Sequence, residues 1–176
     1  MPDSPVWLTA DQLHSSLDAT LLDWLFDEGS LTRRLTAHAS GAFSIQTLSE
    51  GWQPLRAEEC ERLDVPAASE GWVREVLLCG HEMPWVYARS VASRESLMAD
   101  GLDLQSLGQR SLGELLFSDR AFSRGPLRAC RYPEAWLPET VRQPGLWGRR
   151  SCFSRGPLHV LVTEVFLPSL WDAPQH

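Results

Sequence analysis

Two stretches of this chain read as antiparallel hairpins, and they restrict everything around them. The run Trp72-Val73-Arg74-Glu75-Val76-Leu77-Leu78-Cys79 is rich in strand-forming residues, breaks at Gly80-His81-Glu82-Met83, and resumes from Pro84 to Ala92. A second pair, Leu146 to Phe153 and Leu158 to Leu167, flanks the turn Ser154-Arg155-Gly156-Pro157. Short turns join only antiparallel neighbours, because a parallel crossover needs about a dozen residues. Ahead of the hairpins the chain reads helical. Leu17, Leu21, Leu22, Leu25 and Phe26 recur at helical spacing behind Asp18 as a cap, and Ser30 caps a second helix starting at Leu31. A strand is predicted over Ala42 to Leu48, and the charged segment Leu55 to Gly71 reads as a surface connection with one helical turn. Ser93 is predicted to cap a short helix through Met98, and Ser111-Leu112-Gly113-Glu114 has the form of a capping box. Ala121 to Tyr132 reads as a strand, and Pro133, Pro138 and Pro144 then enforce a loop. Helices first and hairpins later predict an α+β fold on an antiparallel sheet.

A chain of 176 residues fits one domain, since about 100–200 residues is typical. The expectation is therefore a single domain over 1–176, with 168–176 as a frayed tail. A hydrophobic fraction of 43% with 8 Trp supplies a core. A net charge of −7 argues against nucleic acid or an anionic membrane as partner, because both need a positive field. There is no basic-then-apolar leader, no apolar run of about 20 residues, and no metal-like spacing among Cys60, Cys79, Cys130 and Cys152. These features predict a soluble cytoplasmic protein with reduced thiols and no metal. All 16 Lys+Arg residues are arginine, and asparagine is also missing. Schiff-base and P-loop chemistry, which need lysine, are thereby excluded.

The familiar catalytic signatures GxSxG, HExxH, GxGxxG and Walker A are absent. His81-Glu82 reads as a solvated turn, His14, His38 and His159 as structural or surface residues, and the cysteines as small core residues. Two charges stand out. Alternation puts Arg74 on one strand face with Trp72, Val76 and Leu78, and Glu164 on one face with Val160, Val162 and Phe166. A buried unpaired charge costs several kcal/mol, so each needs a partner. One reading pairs them with each other or with neighbours such as Glu75 and Arg89. The other makes them the two ends of a pocket, an Arg fork for a carboxylate and a carboxyl group for a hydroxyl. Leu31 and Leu112 each follow a candidate cap serine, so their N–H groups either face water or meet an anion. The pairs Arg33-Arg34 and Arg149-Arg150 read mainly as solvated surface charge. Glycines flank Trp147 closely, which suggests tight packing or a bend there.

Seven stretches in order resemble the chorismate pyruvate-lyase family, which makes 4-hydroxybenzoate for ubiquinone. They are Leu21-Leu22-Asp23-Trp24-Leu25, Gly29-Ser30-Leu31-Thr32-Arg33-Arg34, Trp72 to Cys79, Pro84-Trp85, Leu112-Gly113-Glu114-Leu115-Leu116-Phe117, Gly145-Leu146-Trp147-Gly148-Arg149-Arg150-Ser151 and Thr163-Glu164-Val165-Phe166-Leu167-Pro168. The resemblance implies a six-stranded antiparallel sheet with flanking helices, an enclosed ligand pocket, a monomer, and neither metal nor organic cofactor. It implies that Arg74 holds the ring carboxylate, that Leu31 and Leu112 make contacts at that same end, and that Glu164 stands at the phenolic hydroxyl. The chain departs from the family pattern at Leu31, where methionine is frequent, and in a longer, proline-rich Cys130 to Pro144 stretch.

On this resemblance the substrate is chorismate and the products are 4-hydroxybenzoate and pyruvate, with Glu164 and Arg74 as the catalytic residues. Burial is expected to favour the protonated acid of Glu164, and Arg149 or Arg150 is a candidate for the enolpyruvyl carboxylate. An enclosed product implies slow release. The rival expectation is a non-catalytic aromatic-acid-binding domain of the same fold, as in sensors. A structural protein with Arg74 and Glu164 merely paired is the third.

Overall fold

The computed structural model describes residues 4–102, 112–119 and 121–173. The capping serine expected at Ser111 lies outside the described residues. The helices are α1 (Ala10–Leu13), α2 (Ala19–Leu25), α3 (Leu31–His38), α4 (Ala57–Leu63), α5 (Arg94–Asp100), α6 (Leu112–Ser118) and α7 (Pro168–Asp172). The strands are β1 (Phe43–Pro54), β2 (Glu70–Gly80), β3 (Met83–Ser93), β4 (Ser123–Arg124), β5 (Arg128–Arg131), β6 (Trp147–Arg155) and β7 (Leu158–Phe166). The caps form where the sequence placed them. Asp18 accepts from the Leu21 N–H at 2.8 Å, Ser30 from Arg33 at 3.3 Å and Ser93 from Ser96 at 3.2 Å.

All seven strands pair antiparallel in the order β1-β2-β3-β7-β6, and both β4 and β5 then pair with β6. The expected single strand from Ala121 to Tyr132 is thus two, which turns a six-stranded sheet into a seven-stranded one across the same six positions. Gly125-Pro126 makes the break, because Pro126 has no N–H for the ladder. The first hairpin turns on His81 and Glu82, whose φ values of 50° and 67° give the left-handed two-residue loop that matches strand twist. Asn-Gly usually takes that role; this chain has no asparagine and uses His-Glu. In the second hairpin Gly148 closes on β7, where an added Cβ would lie 3.1 Å from a Val165 methyl, while Gly145 has φ 78°. The tight packing expected around Trp147 is this approach.

Both faces of the central strands are covered, which is why the runs are apolar almost without interruption. On one face α4 brings Cys60 and Leu63 onto Val73, Val91 and Leu161, and the turns Glu134–Trp136 and Glu139–Val141 bring Leu137 and Val141 near Leu77, Tyr87 and Val165. On the other face two apolar clusters lie side by side. One gathers Trp24, Leu25, Leu31 and Leu35 on Val76, Leu78, Ala88 and Phe166; the second gathers Leu97, Leu112 and Leu116 on Trp72, Val160 and Val162. Of the 168–176 tail expected to fray, Pro168–Asp172 forms α7 and buries Leu170 completely, and residues 174–176 lie outside the described residues.

The segment Leu55 to Gly71, read as a surface connection, instead delivers a buried carboxylate. Glu59 of α4 receives Arg89 Nε at 2.8 Å and Nη2 at 2.9 Å, and Arg89 Nη1 also reaches Glu75 at 3.1 Å. Tyr87 donates to the same Glu75. Burial alone would raise the pKa of Glu59, but the Arg89 hydrogen bonds and charge hold it below the ordinary value of 4.5. Removing one partner of such a pair strands a charge. Glu59→Gln should therefore cost about 3 kcal/mol in urea unfolding at pH 7. Because the folded carboxyl titrates below its unfolded value, that stabilisation is complete above pH 4.5 and fades as pH falls through the folded value. The gap between wild type and variant should narrow accordingly in acid.

Candidate functional site

The pairing register sets two adjacent rows of side chains across one face of the sheet. The first runs Glu50, Arg74, Ser90, Val162, Ser151; the second runs Thr47, Val76, Ala88, Glu164, Arg149. Arg74 and Glu164 therefore stand two strands and one pleat repeat apart, on the order of 12 Å between Cα atoms from strand spacing and rise. Between them lie only Ser90 and Ala88 of β3 and the side chains of Val76 and Val162. A floor of small side chains under flanking large ones leaves a cavity. It is lined by Arg74, Ala88, Ser90 and Glu164 below and by Thr32, Leu112 and Gly113 of the first turns of α3 and α6. It opens where the two apolar clusters of this face meet.

Three of the four residues singled out from sequence, Arg74, Leu112 and Glu164, thus line one cavity. Leu31 is buried beside it, with its side chain in the apolar cluster, while the next residue, Thr32, reaches the wall. Being the first residue of α3, Leu31 has an N–H with no acceptor inside the helix. The junction holding this turn is rigid. Arg34 bonds Asp23 at 2.6 Å and Asp27 at 2.9 Å and lies 3.6 Å over the Trp24 ring. Burial opposes ionisation of Asp27, but the Gly29 N–H and Arg34 hold its carboxyl below the usual range.

Arg74 and Glu164 each have an ion-pair partner, and neither is one the sequence suggested. Arg74 Nη1 donates to both oxygens of Glu50, its cross-strand neighbour, at 2.9 and 3.2 Å. Glu164 receives Arg149 Nε at 3.1 Å, again from the residue directly opposite. The proposed local partners Glu75 and Arg89 sit on the far face and bond each other. Arg149 is only 1% exposed and also donates to the carbonyls of Trp24 at 3.1 Å and Asp27 at 2.8 Å, closing the C-terminal end of α2. A fixed cation is thus the immediate neighbour of Glu164.

The arginine pairs also need correction. Only Arg33 is exposed. Arg150 points to the opposite face, bonds Glu58 at 2.7 Å and covers the Trp7 ring, so it does not reach the cavity. Sequence reasoning missed Glu50, Thr32 and Ser90. The signal for Ser90 was present: Ala88, Ser90 and Ala92 are small at alternate positions of a strand that otherwise carries large residues. All four cysteines are buried and free. Burial raises the thiols of Cys79, Cys130 and Cys152, Cys130 to about 12, which makes them poor nucleophiles. His38 packs edge-on against Trp24 and Trp85, and the His159 ring meets the Ser154 hydroxyl at 2.8 Å. Among the described residues no three His, Cys, Asp or Glu side chains converge as metal ligands, and no helix is long and apolar enough to cross a membrane.

Comparison with known proteins bears on this cavity. A family model described as chorismate lyase matches residues 1–175. A protein of Pseudomonas aeruginosa strain UCBPP-PA14 named probable chorismate pyruvate-lyase is 68% identical over 172 residues, spanning 98% of this chain and 96% of its own. Its namesake in Pseudomonas putida is 60% identical, over 95% of this chain and 90% of its own. Among solved structures, the PhnF C-terminal domain superposes with a TM-score of 0.57 at 12% identity, over 72% of this chain and 84% of its own. The effector-binding domain of the Bacillus subtilis trehalose repressor does so at 0.51 and 8%, over 76% and 94%. These structural likenesses show the fold.

If the cavity is the binding site, Ser90→Leu should fill its floor. Calorimetric titration with a small aromatic acid should then show binding lost, while the unfolding free energy moves by less than about 2 kcal/mol, because the methyl groups enter existing space. Retained binding would place the ligand elsewhere.

Proposed function

The chain belongs to the chorismate lyase family, and from that premise we propose that it removes pyruvate from chorismate to give 4-hydroxybenzoate, acting as a soluble cytoplasmic monomer that feeds ubiquinone synthesis. The observation that carries the site assignment is the placement of Arg74 and Glu164 on one sheet face with a cavity floored by Ala88 and Ser90 between them.

Chorismate is a ring with a carboxylate at one end and, near the other, a hydroxyl beside an enolpyruvyl ether. Arg74, steadied by Glu50, takes the ring carboxylate as a charge-assisted hydrogen bond. First-turn N–H groups at Leu31 and Leu112 add donors at that end, a role backbone can fill whatever the side chain, so leucine serves where methionine is common. Glu164 meets the ring hydroxyl. With Arg149 fixed against one oxygen, its carboxyl group is oriented rather than free to swing.

The chemistry asks little of acids and bases. As the ring carbon–ether oxygen bond breaks, the hydrogen on the neighbouring hydroxyl-bearing carbon passes to the vinyl carbon. The ether oxygen becomes the keto oxygen of pyruvate, and the ring becomes aromatic. Atoms and electrons balance within one molecule. The protein's task is to hold the conformer in which that hydrogen faces the vinyl carbon and to keep water away, which apolar walls and a two-ended grip accomplish. Glu164, hydrogen-bonded to the hydroxyl, follows the charge that develops on the ring oxygen as it becomes phenolic.

The domains of transcription regulators share the fold at 8% and 12% identity and lend no ligand to this chain, whereas lyases at 60% and 68% identity favour catalysis over sensing. Purified protein with chorismate and a coupled pyruvate assay, without added metal or cofactor, tests the reading. Equal amounts of pyruvate and 4-hydroxybenzoate are expected, and binding without turnover would favour the sensor instead. Arg74→Ala should weaken 4-hydroxybenzoate binding by at least about tenfold, the cost of losing a charged hydrogen bond. Glu164→Gln should lower kcat by about a hundredfold while changing product affinity less. Unchanged affinity in the first variant, or unchanged turnover in the second, would remove that residue from its role.

A further inference from the structure

Chorismate carries two carboxylates, and the site above accounts for one. The second belongs to the enolpyruvyl group and leaves with pyruvate, so it must lie near the ether, at the Glu164 end of the cavity. Glu164 would repel it unless a cation stands close. Arg149 already shares its charge, since its Nε holds Glu164 and its Nη1 holds two carbonyls of the α2 terminus. Arg150 is on the wrong face.

Arg124 of β4 is placed otherwise. Its Nε donates to Ser151 Oγ at 2.9 Å, and Ser151 is two residues beyond Arg149 on the same strand face, directly opposite the cavity-lining Val162. Its Nη1 donates to the Glu28 carbonyl at 3.1 Å, in the loop that leads to Ser30 and α3. Its guanidinium lies 5.3 Å from the ring of Phe117, on α6, and 5.1 Å from that of Phe153, on β6. Arg124 therefore sits at the seam where the α3 loop, α6 and β6 meet, beside the Glu164 end. Both acceptors are neutral, and among the described residues neither a carboxylate partner nor any acceptor for Nη2 is found. Burial and then the neighbouring charge of Arg149 push its pKa below the usual arginine range, with Glu164, Asp27 and Glu28 opposing. A half-buried cation next to another cation, with no carboxylate hydrogen-bonded to it, is relieved by an incoming carboxylate.

We propose that Arg124 receives the enolpyruvyl carboxylate of the substrate through its guanidinium, and so sets the preference of the site for the dianionic substrate over its monoanionic aromatic product. The inference rests on the chorismate reading. It makes Arg124 a specificity residue that touches the substrate and the pyruvate it loses, but not the aromatic product. As the ether breaks, the departing pyruvate remains on Arg124 while the aromatic acid remains between Arg74 and Glu164, so the two products leave from different anchors.

The test is a split between substrate and product constants. Wild-type release of pyruvate from chorismate is the control for the underlying reading, and its absence would sink that reading and this proposal together. With turnover present, Arg124→Gln should raise KM for chorismate by at least about tenfold, the loss of a charged hydrogen bond, while the inhibition constant of 4-hydroxybenzoate changes by less than about twofold. Arg124→Lys should recover part of the KM. Arg124→Met keeps the apolar stem over the two phenyl rings and is read the same way if glutamine weakens the fold. KM and the inhibition constant rising together would make Arg124 a purely structural tie and overturn the proposal, as would a KM that does not move.

Discussion

Arg149 turns its Nε and Nη1 to acceptors from other elements, and the site depends on those bonds. It is 1% exposed in β6, bonds Glu164 across the ladder in β7, and closes the end of α2 through Trp24 and Asp27 carbonyls. One buried cation thus orients the carboxyl group at one end of the cavity and fixes the helix that leads into α3 over its top. Such a pair contributes little net stability beyond its desolvation cost, but losing one partner costs about 3–5 kcal/mol, so the arrangement is rigid rather than merely favourable. Arg74 and Glu50 repeat the device at the other end, and Arg89 with Glu59 and Glu75 does so on the far face.

The cavity itself comes from what is missing. Ala88 and Ser90 are short side chains in the middle of a central strand, between rows that otherwise carry Val76, Leu78 and Val162. Two apolar clusters meet over them without sealing. Each cluster closes on its own helices, so the seam between them is where a ring can be accommodated without opening the core. The charged groups that line the cavity, Arg74 and Glu164, stand at its two ends, which orients a ligand that is apolar in the middle and polar at both ends.

Much of this was legible in the sequence, and the misses share one cause. The hairpins, the caps at Asp18, Ser30 and Ser93, and the isolation of Arg74 and Glu164 among apolar neighbours are local signals. Alternation grouped each charge with its apolar neighbours but did not choose between the two strand faces, since both are largely apolar, and in the structure both charges are buried. Their partners were not legible, because Glu50 and Arg149 are set by strand register, and register joins residues far apart in sequence. The same holds for α4. Ala57-Glu58-Glu59-Cys60-Glu61-Arg62-Leu63 reads as a polar surface turn until Arg89, thirty residues on, demands a carboxylate. Arg149-Arg150 read as a surface dipeptide because adjacent strand residues face opposite ways, and composition does not say that both sides are covered. Arg124 carried no signal, since the hydroxyl, the carbonyl and the two phenyl rings around it come from elements distant in sequence.

The central claim is that one cavity grips an aromatic acid by its two ends, and a crystal structure with 4-hydroxybenzoate bound tests it most directly. The ring is expected over Ala88 and Ser90, with its carboxylate on Arg74 and its hydroxyl beside Glu164. A ring lying elsewhere, or turned so that the hydroxyl meets Arg74, would contradict the account.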